Sequence, residues 1–105
     1  MTPSGPYRID ASGRVMDQIR VLGVRAVRNG LVADFATALA TLWTRLVATP
    51  TTWGDPVSNL RNLNLVMYRR VQGPIIVYYA VDDVNRISYV HSVWPFPGRG
   101  LEAVP

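Results

Sequence analysis

The sequence predicts an α+β domain, ordered β-α-α-β-β-β, in which a helix hairpin packs on one face of a small, mainly antiparallel sheet. Three observations carry this. Apolar residues recur at helical spacing through the first half of the chain. β-Branched and aromatic residues then concentrate in three runs, and short polar segments containing Gly, Pro, Asn or Asp separate all of these stretches. A sheet this small is not stable bare, so the helices must cover one side of it.

The first strand is brief, Tyr7 to Asp10, and Ser12 offers a side-chain oxygen to cap the helix that follows. In that helix Val15, Ile19, Leu22 and Ala26 form one stripe, while Arg14, Arg20, Arg25 and Arg28 occupy the other sides. Asn29-Gly30 ends it, with the glycine in the left-handed conformation. A second helix follows on Leu31, Phe35, Leu39, Leu42 and Leu46 and stops near Thr49, because Pro50 disfavours helical backbone before it. The short break makes the pair an αα-hairpin.

Thr49 to Pro56 reads as a turn-rich loop, and Val57 to Asn64 as a long connection crossing the edge of the core. Three strands come next, Leu65 to Val71, Ile75 to Val81 and Arg86 to Val93, joined by the turns Gln72-Gly73-Pro74 and Asp82-Asp83-Val84-Asn85. The middle strand is apolar at nearly every position, so both of its sides need shielding. The helices supply one cover; the tail with Trp94 and Phe96, or a partner, is expected to supply the other.

A length of 105 residues with 49% hydrophobic and 17% charged residues fits a single folded domain spanning 1–105, its ordered core about 7–94. Cysteine is absent, which excludes disulfides, thiolate zinc sites and thiol nucleophiles. No stretch approaches the ~20 apolar residues of a membrane span, and Met1 to Pro6 lacks the pattern of a signal peptide. A soluble cytoplasmic protein with no membrane partner is the expectation. All eleven basic residues are arginine and the formal net charge is +4, which suits an anionic partner; arginine-biased coding is the simpler explanation of the missing lysine.

The chemistry-bearing residues are few. His91 is the single histidine, the residue type whose ordinary pKa lies near neutrality, and so the candidate general base; a packed strand residue is the alternative. Tyr68, Tyr78, Tyr79 and Tyr89 with Arg69 and Arg70 resemble a stacking surface for unpaired bases, although strands take up tyrosine for packing alone. Trp53 and Trp94 flank polar loops as candidate anchors for a partner or as seals on the core edges, and Asp82-Asp83 reads as a turn former rather than a metal site. No nucleotide-loop, hydrolase-elbow, zinc or calcium motif is present, and neither a cofactor nor a metal is expected.

The run "MYRRVQGPIIVYYAVDD", with "RISYVHSV" after it and the Tyr-led first strand, helix hairpin and Gly-Asp-Pro segment before it, resembles the RelE/ParE toxin superfamily, which includes plasmid stabilisation proteins. The resemblance covers about Tyr7 to Val93. It implies the toxin of a type II toxin–antitoxin system, held inactive by an antitoxin. RelE-like members are metal-independent endoribonucleases that cut messenger RNA on the ribosome, and ParE-like members act on DNA gyrase.

Carried over residue by residue, Arg69 matches the basic position that follows the family's tyrosine. With His91 it forms the candidate catalytic pair; Arg70, Tyr68, Tyr79 and Arg99 are the candidate substrate-binding residues. Two positions that the family fills with cations hold Ile75 and the Trp94-to-Pro97 segment, with Arg99 a few residues late. That depletion leaves a second reading, a member without catalysis that serves as a protein-interaction module, and a third, a ParE-like gyrase inhibitor, which needs no catalytic constellation. Because strand neighbours point to opposite faces, Arg69 is expected on the open face and Arg70 toward the helices or the sheet edge.

Overall fold

The computed structural model describes residues 5–102; Met1–Ser4 and the last three residues lie outside the described residues, as does that part of the expected N-terminal and C-terminal extensions. The elements are β1 (Arg8–Ala11), α1 (Gly13–Arg28), α2 (Val32–Ala48), a single turn α3 (Pro50–Trp53), β2 (Asp55–Leu60), a 3-10 turn (Arg61–Leu63), β3 (Leu65–Gln72), β4 (Ile75–Asp82) and β5 (Ile87–Pro95). The five strands form one sheet in the order β1-β5-β4-β3-β2. β1 runs parallel to β5 and every other pairing is antiparallel. No helix among the described residues is long and apolar enough to cross a membrane.

Both helices form where the apolar spacing places them. Ser12 Oγ accepts from the Val15 amide at 3.3 Å, and Val15, Ile19, Leu22 and Ala26 are the buried residues of α1. Gly30 takes φ +70°, the left-handed turn that ends the helix. In α2 the buried set is Phe35, Ala38, Leu42 and Leu46, with Leu39 half-buried beside them. Against these, β4 contributes Ile75, Val77, Tyr79 and Val81, β3 contributes Val66 and Tyr68, and β5 contributes Val90 and Val93.

The Tyr-led start is fastened through Arg86, which has the left-handed φ of +58°. Its Nη1 donates to the Tyr7 hydroxyl at 2.7 Å, and its guanidinium lies 3.9 Å from the centre of the Tyr7 ring. The Tyr7 hydroxyl in turn donates to Asp83. The Arg86 carbonyl then accepts from the Arg8 amide at 2.8 Å, which begins the β1–β5 pairing.

Two expectations need correction. The segment read as a loop and a long connection contains α3 and the edge strand β2, so the sheet has five strands rather than four. Asp55, Pro56, Ser58 and Asn59 are poor strand formers, and β2 has a neighbour on one side only. It is exposed along nearly its whole length and carries no apolar alternation. Pro56, which has no N–H to donate, is tolerated at such an edge.

The tail does not cover the second face of the sheet either. Leu101 is fully buried in the core cluster, Arg25 Nη1 donates to its carbonyl at 3.3 Å, and Asn29 Nδ2 donates to the Gly100 carbonyl at 2.6 Å. The chain after Phe96 therefore returns to the helix layer.

Tyr79 ties these layers together. It is fully buried, its hydroxyl donates to the Pro50 carbonyl at 2.6 Å, and it accepts from the Gly54 amide at 2.9 Å. Its ring stacks on Tyr68 and Trp53 at 5.2 and 5.8 Å between centroids. Gly54 must lack a side chain, since a Cβ there would lie 2.7 Å from the Tyr79 hydroxyl and 3.0 Å from the Arg69 carbonyl.

Burial pushes the Tyr79 hydroxyl up to about 12 from its ordinary 10.0. A raised value means that the neutral phenol stabilises the fold, fully below pH 10.0, and that this is lost as pH climbs toward about 12. Resistance to unfolding by urea should therefore weaken across that window. Tyr79→Phe leaves two buried backbone groups unpaired and should cost about 1–3 kcal/mol at pH 7, with a shallower alkaline loss. Unchanged stability of the variant at neutral pH would contradict this account.

Candidate functional site

Residues directly opposite on neighbouring strands share a face, so the ladder assigns every side chain to the helix side or the open side. Tyr79 pairs with Tyr68 and Val90 on the helix side. The open side therefore holds Met67, Arg69 and Val71 from β3, Ile76, Tyr78 and Ala80 from β4, and Tyr89, Ser92 and Trp94 from β5.

Across the middle of this face Arg69, Tyr78 and Ser92 are consecutive partners in one row. A shift in register follows: Tyr78 pairs with Ser92 but Tyr79 pairs with Val90, so His91 is the extra residue of a β-bulge. The bulge sets His91 beside Ser92, with Nδ1 and Oγ 3.2 Å apart. Met67, Tyr78, His91, Ser92 and Trp94 line a cavity of about 240 Å³ on the open face. Strands lie about 4.7–4.9 Å apart, so the backbones of Arg69 and His91, two strands away, are separated by roughly 10 Å. A guanidinium and an imidazole can both reach one group bound above Tyr78.

The two candidate catalytic residues are thus brought to one face, and Arg69 lies on the side expected of it. Among the described residues the ion pairs are Arg20 with Asp17 and Arg86 with Asp83, which leaves Arg69 without one. Its partner across the strand is Asp55 of β2.

The four candidate substrate-binding residues are elsewhere. Tyr79 is fully buried with its hydroxyl used twice, and Tyr68 is buried against it; neither ring can stack on a base. Arg70 points to the helix side, where Nη1 donates to the Trp53 carbonyl at 3.1 Å and the guanidinium lies 5.7 Å from the Trp53 ring centre. Trp53 itself is buried and so is a core residue rather than an exposed anchor. Arg99 sits over Phe96 and lines a separate cavity of about 260 Å³ with Asp34, Thr37, Ala38 and the β3–β4 turn.

Met67 and Ser92 belong to the open-face cluster without having been singled out by the sequence. Alternation from Arg69 would have found Met67, two positions away on the same strand. Nothing in "SYVHSV" announces the bulge, since its residues are ordinary strand formers. Among the described residues no group of His, Asp or Glu is arranged to hold a metal ion.

Asp82 behaves as a turn former. It accepts from the Asn85 amide at 2.9 Å and from Asn85 Nδ2 at 2.8 Å, and these bonds hold its carboxyl below the ordinary value of 3.8. A lowered value means stability that is present above pH 3.8 and lost as pH falls through the folded-state value. Asp82→Ala should unfold more readily than the wild type at pH 7, and the gap should narrow in acid; a gap that widens in acid would refute this role. Arg70→Ala should lower the melting temperature by loosening Trp53, while leaving anion affinity of the open face within about twofold, since its guanidinium is held on the opposite side of the sheet by the Trp53 carbonyl and ring.

No protein-family model matches the chain, and no curated protein matches it in sequence. Solved structures do. A chain of the archaeal RelE–RelB complex from Pyrococcus horikoshii superposes with a TM-score of 0.67 at 16% identity, covering 88% of this chain and 97% of that one. A chain of the RelBE2 toxin–antitoxin complex from Mycobacterium tuberculosis superposes with a TM-score of 0.60 at 18% identity, covering 91% and 98%. The β-α-α-β order, the helix layer on one face and the mainly antiparallel sheet are a RelE-like fold.

Proposed function

We propose that the chain is the toxin-like component of a toxin–antitoxin pair, held by a protein partner and acting on RNA through the open sheet face when released. One observation carries the reading: on a RelE-like fold, the uncovered face sets Arg69, which has no ion-pair partner among the described residues, across Tyr78 from Ser92, and the bulge puts the single histidine beside that serine. Both superposed structures are complexes of a toxin–antitoxin type, which supports a protein partner for this chain as well.

The chemistry that this row suits is metal-independent strand cleavage. The ribose 2′-oxygen attacks the adjacent phosphorus, the bond from phosphorus to the 5′-oxygen breaks, and a cyclic phosphate remains. Charge grows on the phosphate oxygens, where Arg69 can stabilise it. The proton of the 2′-hydroxyl needs an acceptor and the departing 5′-oxygen needs a donor, and on this reading His91 serves one of these steps.

A second reading, a protein-interaction module without catalysis, draws on α1. Val21, Val24 and Val27 are 44%, 48% and 69% exposed on its outer side, beside Arg20 and Arg28. An acidic amphipathic partner segment would complement that stripe.

Inducible expression with and without the adjacent reading frame tests the two together. The toxin reading expects growth arrest, relief by co-expression, and breaks within translated messages on primer extension. A charge-assisted phosphate contact is worth about 1.5–3 kcal/mol, so Arg69→Ala should reduce cleavage about tenfold or more. Intact messages with a co-purifying partner would instead establish the interaction module, and normal growth with neither would overturn both.

A further inference from the structure

Gln18 is a polar residue within the apolar stripe of α1. It stands three residues after Val15 and four before Leu22, both buried, so the helix turns it toward the sheet with them. There its Oε1 accepts from the Val93 amide of β5 at 3.1 Å. β1 accompanies β5 only from Ile87 to Val90, since the chain leaves the sheet after Ala11 and Ser12 caps α1. Among the described residues no strand lies beside the outer edge of β5 from His91 onward. The register shift against β4 falls at the same point, between the Tyr78–Ser92 and Tyr79–Val90 pairs. A bulge interrupts the ladder locally, so β5 loses regular support on both of its edges at His91.

We infer that Gln18 is the positioning residue for His91: by accepting from the Val93 amide it secures β5 two residues past the bulge, on the edge that β1 has left, and so keeps the imidazole beside Ser92. The inference rests on the RNA-directed reading above for its consequence in catalysis. Val93 is 1% exposed, and a buried amide without a partner is costly, so the strand would shift toward another acceptor if the carboxamide were lost. Ser92, between Val93 and His91, is also buried, and its Oγ lies 3.2 Å from His91 Nδ1. A movement of Val93 is thereby passed through Ser92 to the ring. The helix layer reaches the open face in this way through the backbone of a single strand.

His91 reports on its own position, because a single histidine gives one set of imidazole signals in a proton NMR spectrum. Gln18→Leu nearly keeps the side-chain volume and suits the apolar stripe but accepts no hydrogen bond. In the full chain carrying it, the Val93 amide should exchange with solvent about five- to hundredfold faster relative to the Leu42 amide of α2, and the His91 ring should lose its cross-peaks to Ser92. Gln18→Glu accepts as the carboxamide does and should recover both signals. With a translated message as substrate, kcat should fall about ten- to hundredfold in Gln18→Leu at unchanged KM, and recover in Gln18→Glu.

Unaltered Val93 protection and His91 signals in Gln18→Leu would overturn the inference. A Gln18→Glu variant as perturbed as Gln18→Leu would overturn it too, since packing rather than the hydrogen bond would then hold the strand. So would a raised KM at unchanged kcat, which would move Gln18 from positioning to binding. If the wild type cleaves no message while His91 still responds to Gln18, the placement of the imidazole by Gln18 stands and the RNA-directed reading falls.

Discussion

The hydroxyl of Tyr79 is the point on which the arrangement of the sheet turns. It belongs to the central strand β4, is sealed from water, and spends both its donor and its acceptor capacity on the backbone between α2 and β2. Those two bonds decide where the chain leaves the helix layer and where it joins the sheet. Gly54 lies against the hydroxyl and the Arg69 carbonyl, and Asp55 is the residue opposite Arg69. The edge strand is thereby set beside the residue on which the proposed chemistry depends. A buried phenol without those partners would carry a desolvation penalty comparable to that of any orphaned hydroxyl, so the tie is needed by the core as much as by the loop.

The stacked Trp53, Tyr79 and Tyr68, with Arg70 drawn in over Trp53, extend the same tie across β3. This separates two adjacent arginines by role. Arg70 is fixed by a backbone carbonyl and a ring on the helix side. Arg69, one residue earlier and so on the opposite face, is left for solvent or a ligand. The pleat alone produces that division.

How much of this could be read from the sequence depends on how each element is buried. Both helices were legible because they cover one side of the sheet, and one-sided burial imprints a period: all four predicted contacts of α1 are its buried residues. The three meander strands were legible for the same kind of reason. β2 was not, because an edge strand exposed on both faces imprints no pattern, and its Asp, Pro, Ser and Asn are residues that strands usually avoid. The tail was misplaced because the aromatic residues Trp94 and Phe96 suggested a cover, whereas the residue that docks is Leu101. In the candidate site, alternation separated Arg69 from Arg70, but Tyr68 and Tyr79 could be assigned to the core only once the register of β3 on β4 was known. The bulge at His91 arises from a mismatch between two strands and belongs to neither alone.

The cations missing from the family's pattern take on a physical meaning once the register is known. Ile75, where the resemblance calls for arginine, faces the helix layer and is fully buried, paired across with Pro95 and Gln72. A guanidinium there could not reach the open face, and burying it unpaired would cost several kcal/mol. The isoleucine is therefore a packing choice that removes one charge from a position outside the Arg69 row. Trp94 is different. It lies on the open face two residues beyond Ser92, where it places a broad π-surface rather than a charge. Electrostatic attraction reaches across a Debye length of about 10 Å and is indifferent to sequence, while stacking acts at contact and requires an unpaired base. An aromatic side chain at that position therefore acts on whatever touches the face, where a cation would act at a distance.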